Sequence, residues 1–576
     1  MFKQFFILFE VVTSIVGSKQ CPNLPPGLTK IVKGVDISKL DLLPLEFTSD
    51  DGILSPVFPL TCEQGKKWKS PKGVIYDMPD QIWTISSVPG GYMSSEVSTF
   101  QTYSEVRDSM SVSVGLDIDY RMFSFSASST YKKMQSLITN SSKYLSEVTA
   151  FTGATRVDVL PAGSLEFDNN TQNYIDNMLT GTYESNQQAY DTFVKEYGTH
   201  YFATGNFGGY VRMIFEATQE YFSSSSEVDI ETNAKASYAH MITVSTGVST
   251  SSAKIDESFK SGTKNTVKYY GGNTNYLNSQ DGFSRWLPTV ENDPWLFSGN
   301  LKPISDLIRN STKKSSVIQA VERHLIRNYL DELQSLVNAA KKRSDNFIIN
   351  NFANRINEIK SRKDVARSSV DAFSSDLSDY MNVPSWFLSN TKMCLLWSAT
   401  GDENQCGGPN VQQVLCANVN KMTDWYHDET DKRSGGCKMQ WAVFSSGTDA
   451  PHWLSKVQLC YQLDVSKANS LHCAILRYNI NCADLNKYTY DYVDDTTNNK
   501  GGCKLRWMLQ IPDEAPYWMR AMQLCFNWES EGDVAQCGGG APLNQCVLAN
   551  RWTQYYEDNT DDRAGGCKMS WGLKTS

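Results

Sequence analysis

The chain has 576 residues and a formal net charge of −9 at neutral pH. This length is sufficient for two to four domains, each with its own hydrophobic core. The acidic balance argues against a nucleic-acid partner, because such a partner usually requires a basic protein face.

The chain begins with the features of a secretory signal peptide. A basic Lys3 precedes an apolar run over residues 5–16, and small residues up to Ser18 provide a cleavage site. The run is shorter than the ~20 residues that a transmembrane helix needs, and no later segment offers such a run. We therefore expect residues 1–18 to be removed and the protein to be secreted. Three sequons are compatible with glycosylation in that compartment: Asn140, Asn169 and Asn310.

The amino-acid composition changes twice before residue 390. Up to about residue 100, short apolar runs between Pro and Gly predict strands and loops. Ser, Thr and Gly then alternate with apolar residues up to about residue 270. We expect one domain over residues 19–340, followed by a helical connector over 341–390. An amphipathic helix near the end of that domain is predicted by apolar residues at spacings of three and four: Val317, Val321, Leu325, Tyr329, Leu333 and Leu336.

Residues 391–576 contain three repeats, over 391–445, 457–511 and 522–576. Each repeat has four cysteines and closes on Gly-Gly-Cys-Lys-x-x-Trp, with a tyrosine eleven residues before the last cysteine. A repeat of this size has little core, so we expect disulfides to stabilise it by ~2–4 kcal/mol each. Four cysteines allow three pairings, and the spacing does not choose between them. The predicted disulfide cysteines of the chain are Cys21, Cys62, Cys394, Cys406, Cys416, Cys437, Cys460, Cys473, Cys482, Cys503, Cys525, Cys537, Cys546 and Cys567.

The repeats contain two kinds of tryptophan. Those that recur in the closing phrase, Trp441, Trp507 and Trp571, are expected in the core beside a disulfide. Those that do not recur are candidates for a surface that recognises carbohydrate, a lipid headgroup or a protein: Trp453, Trp518 and Trp528.

Acidic stretches precede the last cysteine of each repeat, at residues 428–431, 494–497 and 558–562. They are compatible with a turn before a strand or with a calcium site built from carboxylate oxygens. The turn is favoured, because the second repeat lacks the later acidic residue.

No catalytic motif is found. None of the six histidines has a second histidine four residues away, and the chain has no C-x-x-C pair, G-x-S-x-G elbow, phosphate-binding loop or G-x-G-x-x-G. We therefore expect no enzymatic activity, no catalytic residues, no metal and no cofactor.

One stretch, "YDTFVKEYGTHYF" from residue 190 to residue 202, contains a histidine between conspicuous neighbours. Its fixed positions are Tyr190, Tyr197, Gly198, Thr199, His200 and Tyr201, a pattern that resembles the signature of the membrane-attack-complex/perforin (MACPF) family of pore-forming proteins. Two glycine pairs resemble the glycines of that family's bent central sheet, where the lack of a Cβ permits twist and close approach: Gly208 with Gly209, and Gly271 with Gly272.

The resemblance implies an α+β fold for the first domain. Its bent antiparallel sheet, flanked by helical clusters, is the architecture shared by MACPF proteins and cholesterol-dependent cytolysins. A disulfide-rich, mainly β domain of three repeats would follow. His200 is then expected to be a packing or hydrogen-bonding residue beside the sheet rather than a catalytic base.

Members of the family carry two segments that are helical in the soluble monomer and refold into amphipathic β-hairpins that line a pore. The candidates here are roughly residues 105–150 and 222–268. A spanning strand requires ~9–11 residues of alternating character, and residues 111–122 alternate in this way. The same alternation fits a half-buried strand of the soluble sheet, so both interpretations remain open. The candidate membrane-facing side chains are Val112, Val114, Leu116, Ile118, Tyr120, Ile242, Val244 and Val248.

Residues 129–148 also fit two conformations. Met134, Leu137, Ile138, Tyr144, Leu145 and Val148 can line one face of a helix, while the serines and threonines between them tolerate an extended form.

With its Cys-rich tail, the chain resembles an egg toxin of the same family in which the pore-forming chain is joined by a disulfide to a lectin light chain. The resemblance implies membrane lipids, further copies of the chain and a lectin as partners, and the perivitelline fluid of eggs as the location. An interchain bond would leave an odd thiol or require a second link, because fourteen cysteines is an even number. The alternatives are a non-lytic binding or storage protein with the same scaffold, and a secreted hydrolase that depends on His200.

Overall fold

The computed structural model describes residues 20–47, 50–88, 95–141, 144–217, 221, 227–246, 254–278, 282–343, 347–362, 365–399, 414–429, 436–446, 451–464, 480–495, 502–530, 543–559 and 566–575. Contacts divide the chain into two compact units. The first comprises Met1–Glu216 and Ile230–Glu332, and the second comprises Ala217–Asp229 and Leu333–Ser576. The expected signal peptide lies outside the described residues.

The first unit combines a large sheet with helices, as expected for an α+β fold. The strands in this part of the chain are β1 (Lys33–Val35), β2 (Ile53–Pro56), β3 (Lys67–Lys69), β4 (Ile75–Asp77), β5 (Ile82–Ser87), β6 (Glu96–Phe100), β7 (Tyr144–Val159), β8 (His200–Ala217), β9 (Thr263–Tyr270) and β10 (Trp295–Pro303). The helices are α1 (Tyr103–Ser113), α2 (Ile118–Arg121), α3 (Ser129–Ser141), α4 (Asn169–Asn177), α5 (Gln187–Tyr197), α6 (Glu227–Thr246), α7 (Glu257–Gly262), α8 (Gly282–Trp286) and α9 (Ser311–Arg343).

Two long neighbouring strands, β7 and β8, form the centre of an eight-stranded sheet. Shorter strands pair along successive parts of them, with β6 on residues 145–149 of β7 and β5 on residues 155–159. On β8, β10 covers residues 200–208, and its register shifts twice. Different edge strands thus pair with different parts of β7 and β8, and bulges interrupt the pairing. A sheet built in this way twists strongly over its length. The fold class predicted from the sequence is confirmed.

The alternating segment 111–122 contains the end of α1, a turn and α2, and none of its residues lies on a strand. A capping box begins α1: the Thr102 hydroxyl accepts from the backbone N–H of Glu105, and the Glu105 carboxylate accepts from the backbone N–H of Thr102. The alternative that residues 111–122 form a strand of the soluble sheet is therefore wrong. Residues 129–148, which fit a helix or an extended form, divide between the two: residues 129–141 form α3, and Tyr144, Leu145 and Val148 lie on β7.

The second unit contains helices before the repeats and a mainly β domain within them. The helices are α10 (Phe347–Ser361), α11 (Arg367–Met381), α12 (Ser385–Asn390) and α13 (Tyr517–Arg520). The strands are β11 (Thr391–Ala399), β12 (Val414–Asn418), β13 (Tyr426–Glu429), β14 (Gly436–Ser445), β15 (Gln458–Asp464), β16 (Ile480–Asp484), β17 (Tyr492–Asp495), β18 (Gly502–Gln510), β19 (Gln523–Ser530), β20 (Leu543–Leu548), β21 (Tyr556–Asn559) and β22 (Gly566–Lys574).

The three repeats exchange strands in a closed cycle. Each repeat contributes three strands to its own four-stranded antiparallel sheet and receives the fourth from another repeat. The first repeat receives β17 from the second, the second receives β21 from the third, and the third receives β13 from the first. Because no repeat completes its own sheet, we call residues 391–576 the three-sheet domain and treat it as one folding unit.

Three buried tryptophans form the centre of the three-sheet domain. The rings of Trp441, Trp507 and Trp571 lie 5.4–5.8 Å apart in edge-to-face or tilted contact. The backbone N–H of each donates to a threonine hydroxyl at 2.9–3.0 Å, and each threonine precedes an exchanged strand by three residues. The recurring tyrosines Tyr426, Tyr492 and Tyr556 are the first residues of the exchanged strands. The conserved spacing of the repeats thus reflects one shared core.

Four disulfides are described, Cys21–Cys62, Cys394–Cys416, Cys460–Cys482 and Cys525–Cys546. Within each repeat the described bond joins the first cysteine to the third across neighbouring strands. Cys567 is also disulfide-bonded. The partners of Cys437 and Cys503 are not described, and Cys406, Cys473 and Cys537 lie outside the described residues.

The non-repeated tryptophans belong to the core, so their prediction as a recognition surface is wrong. Trp518 and Trp528 are buried, with 3% and 5% of their surface exposed, and Trp453 packs on Trp518 with a ring separation of 5.5 Å. Trp425 is more exposed, at 36%. In the part of the chain that the structure describes, none of the helices has the length and apolar character to cross a membrane.

Candidate functional site

The signature stretch forms the junction between α5 and the central sheet. Tyr190 is buried, and its hydroxyl donates to the Gly181 carbonyl at 2.8 Å. Gly198 ends the helix with a φ of 88°, and a Cβ there would lie 2.6 Å from the backbone of Val35. Thr199 continues this contact, because its hydroxyl donates to the Val35 carbonyl at 3.0 Å. The motif therefore fixes α5 against β1 at the start of β8.

His200 is buried in an apolar setting rather than placed in a cleft. Its Nδ1 lies 3.0 Å from the Thr199 hydroxyl, and its ring meets Tyr120 edge-on at 4.7 Å. Burial lowers the pKa of His200 to about 3. The ring is therefore neutral at neutral pH. Among the described residues, no group of three His, Cys, Asp or Glu side chains is placed to hold a metal.

The two predicted glycine pairs come together around Trp286. Gly209 lies on β8 beneath the indole, and a Cβ there would be 2.8 Å from the ring. The indole N–H donates to the Gly271 carbonyl at 2.7 Å, and Gly272 and Gly208 lie beside the same contact. The sequence identified the glycines but not the tryptophan that they accommodate.

The first helical segment, residues 103–141, packs through both hydroxyl-bearing and apolar side chains. Five hydroxyl-bearing residues are almost completely buried: Ser111, Ser124, Ser126, Ser128 and Thr130. The Ser111 and Ser124 hydroxyls lie 3.1 Å apart, and the Thr130 hydroxyl accepts from the backbone N–H of Leu45 at 2.9 Å. Eight apolar side chains of the segment are also buried: Tyr103, Val106, Val114, Leu116, Phe123, Phe125, Tyr131 and Met134. Burying a satisfied hydroxyl stabilises far less than burying an equal apolar surface, so the segment is attached less strongly than a purely apolar one of the same area.

A cleft of about 390 Å³ separates the end of α1 from the sheet. On the helix side it is lined by Ser109, Met110, Val112, Ser113 and Val114, and on the sheet side Glu96, Glu147 and Arg212 contribute charged groups. Arg212 forms a buried ion pair with Glu147 and donates to the Leu43 carbonyl at 2.7 Å. At this end of α1 the helix and the sheet are thus not in close contact, and charged groups line part of the space between them.

A buried ionic cluster anchors the first helical segment to α9. The Arg107 guanidinium forms an ion pair with Glu332 and donates to the Tyr131 hydroxyl at 2.7 Å. Tyr131 and Gln135 donate to the same Glu332 carboxylate at 2.9 and 2.8 Å. Burial alone would lower the pKa of Arg107, but the Glu332 charge raises it above its ordinary value. We call Arg107, Tyr131, Gln135 and Glu332 the Arg107 cluster.

The second helical segment consists of α6 and α7, residues 227–246 and 257–262, and is also held by a polar contact. The Asn233 amide donates to the Asp256 carboxylate, and the Asn233 oxygen accepts from the Asp256 backbone N–H, both at 2.9 Å. Ile230, Ala234 and Tyr238 are buried on α6. Of the two predicted segments, 105–150 and 222–268, the described residues are mostly helical, while residues 144–150 lie on β7, residues 263–268 lie on β9, and residues 222–226 and 247–253 lie outside the described part of the chain.

The predicted membrane-facing side chains do not share one face in this structure. Val112, Ile118 and Val244 are exposed. Val114, Leu116 and Ile242 are buried, and Tyr120 is half-buried. Val248 lies outside the described residues.

The three sequons lie on or beside helices. Asn169 is exposed at the first residue of α4, and Asn310 is exposed just before α9. Asn140 lies near the end of α3.

The three acidic stretches begin on the exchanged strands β13, β17 and β21. Their later residues lie outside the described part of the chain.

The stability conferred by His200 depends on pH in a way that can be measured. The unfolded chain binds a proton at His200 near the ordinary pKa of 6.5, whereas the folded chain resists it down to about 3. Stability is therefore lost as pH falls through this window. In the His200→Leu variant we expect the urea concentration at the unfolding midpoint to fall less between pH 7 and pH 4 than it does in the wild type. Replacing the exposed His452 by Leu is expected to leave the wild-type pH dependence unchanged. An unchanged slope in His200→Leu would contradict the buried neutral histidine.

The Arg107 cluster predicts a large effect of a single substitution. Arg107→Met leaves the Glu332 carboxylate buried and unpaired, so we expect the free energy of unfolding to fall by ~3–5 kcal/mol, with much of it recovered in Arg107→Met/Glu332→Met. Lys133→Met removes an exposed ion pair with Glu46 and is expected to cost below ~1 kcal/mol. Urea unfolding measures all three. Equal, small losses would show that the cluster does not anchor the segment.

Comparisons with known proteins bear on this architecture. Residues 25–334 match the MAC/Perforin domain family. Over 559 residues the chain is 30% identical to the Perivitellin-2 67 kDa subunit of Pomacea canaliculata, covering 97% of this chain and 95% of that one. The Perivitellin-2 67 kDa subunit of Pomacea maculata matches with the same identity and coverage. Among solved structures, GNIP1Aa from Chromobacterium piscinae matches with a TM-score of 0.41 and 12% identity, over 94% of this chain and 83% of that one.

The domain match covers more than half of the chain and includes the signature, both glycine pairs and both helical segments. This chain belongs to the MAC/Perforin domain family and is similar along almost its whole length to the 67 kDa subunits of Perivitellin-2.

Proposed function

We propose that this protein is a secreted pore-forming defence protein that assembles with copies of itself on a target membrane. In this proposal the first and second helical segments leave their soluble packing and refold into amphipathic β-hairpins. Barrel closure then satisfies the backbone hydrogen bonds that a single extended segment would leave open in lipid. Membership of the MAC/Perforin family and the similarity to the Perivitellin-2 subunits support this role. The proposal gives the chain no enzymatic step.

The observation that carries the proposal is the mixed packing of the first helical segment. Five buried serines and threonines share its packed face with eight apolar side chains, so its detachment costs less than that of a purely leucine-rich interface of the same area. These serines and threonines are compatible with an aqueous lumen after refolding. Residues 103–141 are also long enough for two strands of ~9–11 residues.

The exposed apolar side chains agree with this assignment. Val112, Ile118, Val228 and Val244 all lie in the two helical segments, with 62–78% of their surface exposed. Exposed side chains of this kind contribute little to the stability of the folded monomer. In a membrane-spanning strand the same side chains would move from water into lipid, which is favourable.

The Arg107 cluster would then determine when the first segment is released. It holds α1 and α3 to α9 through one carboxylate, so its loss would remove several contacts together. We propose that wild-type protein remains in the helical form until assembly on the membrane offsets the cost of breaking this cluster.

The three-sheet domain is proposed to recognise a membrane surface or a partner chain. The relatives are described as subunits, which is compatible with the expected lectin chain, and egg perivitelline fluid is the proposed location. An interchain disulfide would have to use a cysteine other than Cys567 and outside the described pairs, since Cys567 is already bonded and Cys21, Cys62, Cys394, Cys416, Cys460, Cys482, Cys525 and Cys546 are paired within the chain.

A reversible disulfide tests the proposed refolding. In Ser111→Cys/Ser124→Cys, a bond would replace two hydroxyls that lie 3.1 Å apart, thirteen residues apart in sequence. A hairpin that continued the β6–β7 register would pair Ser111 with Met134 and Ser124 with Arg121, which would place the two residues on the order of 30 Å apart along the hairpin. We expect the oxidised variant to release no dye from liposomes and the mildly reduced variant to release it at the wild-type rate.

The matched control is Thr391→Cys/Ser445→Cys, which joins two hydroxyls 2.8 Å apart within the three-sheet domain. Its leakage is expected to be the same when oxidised and reduced. Full leakage from oxidised Ser111→Cys/Ser124→Cys would exclude refolding of the first segment. No leakage from the wild type, with or without a copurifying partner chain and over varied lipid composition, would favour the non-lytic binding or storage protein instead.

A further inference from the structure

The first unit contains a second cavity, on another part of the sheet from the α1 cleft. Its volume is about 490 Å³, within the ~300–1,000 Å³ usual for small-molecule sites. The floor is apolar and buried, formed by Leu28, Val157, Phe207 and Val290. Trp68 and Tyr76, stacked at 5.9 Å, form one wall. An apolar body is therefore the part of a ligand that this cavity accommodates.

A polar group lies at one side of this apolar cavity. Lys72 forms an ion pair with Oε2 of Glu291 at 3.2 Å and donates to the Pro288 carbonyl at 3.0 Å. The other carboxylate oxygen of Glu291, Oε1, is buried and accepts no hydrogen bond from the described residues. A buried acceptor without a donor is costly, and such atoms are uncommon in folded proteins. The cavity thus offers an acceptor to a ligand.

The charges beside this oxygen limit which chemical groups can bind there. Oε1 of Glu291 can only accept a hydrogen bond, so the ligand must provide a donor. A cationic ligand would be repelled by Lys72, and an anionic one by Glu291. The described contacts of Lys72 use two of the three N–H bonds of its ammonium group. A neutral hydroxyl can donate to Glu291 and accept from Lys72, so it complements both.

We infer that this cavity binds a neutral lipophilic alcohol, with its hydrocarbon body on the apolar floor and its hydroxyl between Glu291 and Lys72. The inference does not depend on pore formation, since it rests on a cavity formed by β5, β7, β8 and the β3–β4 hairpin with the loops around them. None of the residues named for it lies in the two helical segments.

Calorimetric titration of the full chain with four probes of similar size tests the assignment. 1-Dodecanol is expected to bind, while 1-methoxyundecane, which has the same number of non-hydrogen atoms but no donor, should bind at least ~10-fold more weakly. Dodecanoic acid and dodecylamine should also bind more weakly than the alcohol. Equal affinity for the ether, or tighter binding of either charged probe, would overturn the hydroxyl assignment. No binding of any probe would overturn the site.

Three substitutions locate the binding. Thr155→Phe fills the cavity from β7 and should abolish binding of 1-dodecanol, whereas Ser86→Phe, on an exposed position of β5 outside the cavity lining, should leave it unchanged. Glu291→Ala removes the acceptor and should make the alcohol and the ether bind equally. Retained discrimination in Glu291→Ala, in a variant with wild-type circular dichroism, would contradict the inference even if Thr155→Phe does not fold.

Discussion

The behaviour of this protein depends on how the first helical segment is attached to the sheet. Its buried face combines five hydroxyl-bearing side chains with eight apolar ones, a cleft with charged groups lies beside the end of α1, and one carboxylate, Glu332, binds Arg107, Tyr131 and Gln135. An apolar interface loses its stabilisation gradually as contacts open, because the hydrophobic effect has no direction. A buried ion pair is different: it is strong only while both partners remain in place. The Arg107 cluster is therefore the attachment of this segment that is lost all at once when one partner leaves.

The three-sheet domain follows the opposite principle. Its three sheets share strands in a cycle, and Trp441, Trp507 and Trp571 meet at one centre. Removing any repeat would leave one sheet without its fourth strand and the core without one indole. Disulfides between neighbouring strands add to this constraint. One chain thus combines a domain whose architecture resists rearrangement with a domain whose first helical segment packs through apolar, hydroxyl-bearing and ionic side chains together.

The sequence predicted the features that depend on local chemistry. Gly198 and Gly209 were identified through the resemblance to the family, and the structure shows that only glycine fits the backbone and the ring that lie against them; the repeats were identified from their spacing. The α-helical state of residues 111–113 was not recognised from their alternation, although Thr102 and Glu105 form a capping box that signals a helix start. Trp518 and Trp528 were predicted to lie on a surface because they do not recur in the three repeats. A residue that does not recur can still be buried, as these two are. The pairing of Arg107 with Glu332 joins residues 225 positions apart, which no single sequence reveals.

The central claim is that the first helical segment becomes a membrane-spanning strand. It is tested most directly by placing an environment-sensitive fluorophore on single cysteines at successive positions from Val112 to Asp117 and recording emission after assembly on liposomes. For a membrane-spanning strand we expect a period of two, with lipid-like emission at Val112, Val114 and Leu116 and water-like emission at Ser113, Gly115 and Asp117. A helical period, or emission unchanged from that of the soluble protein, would contradict it.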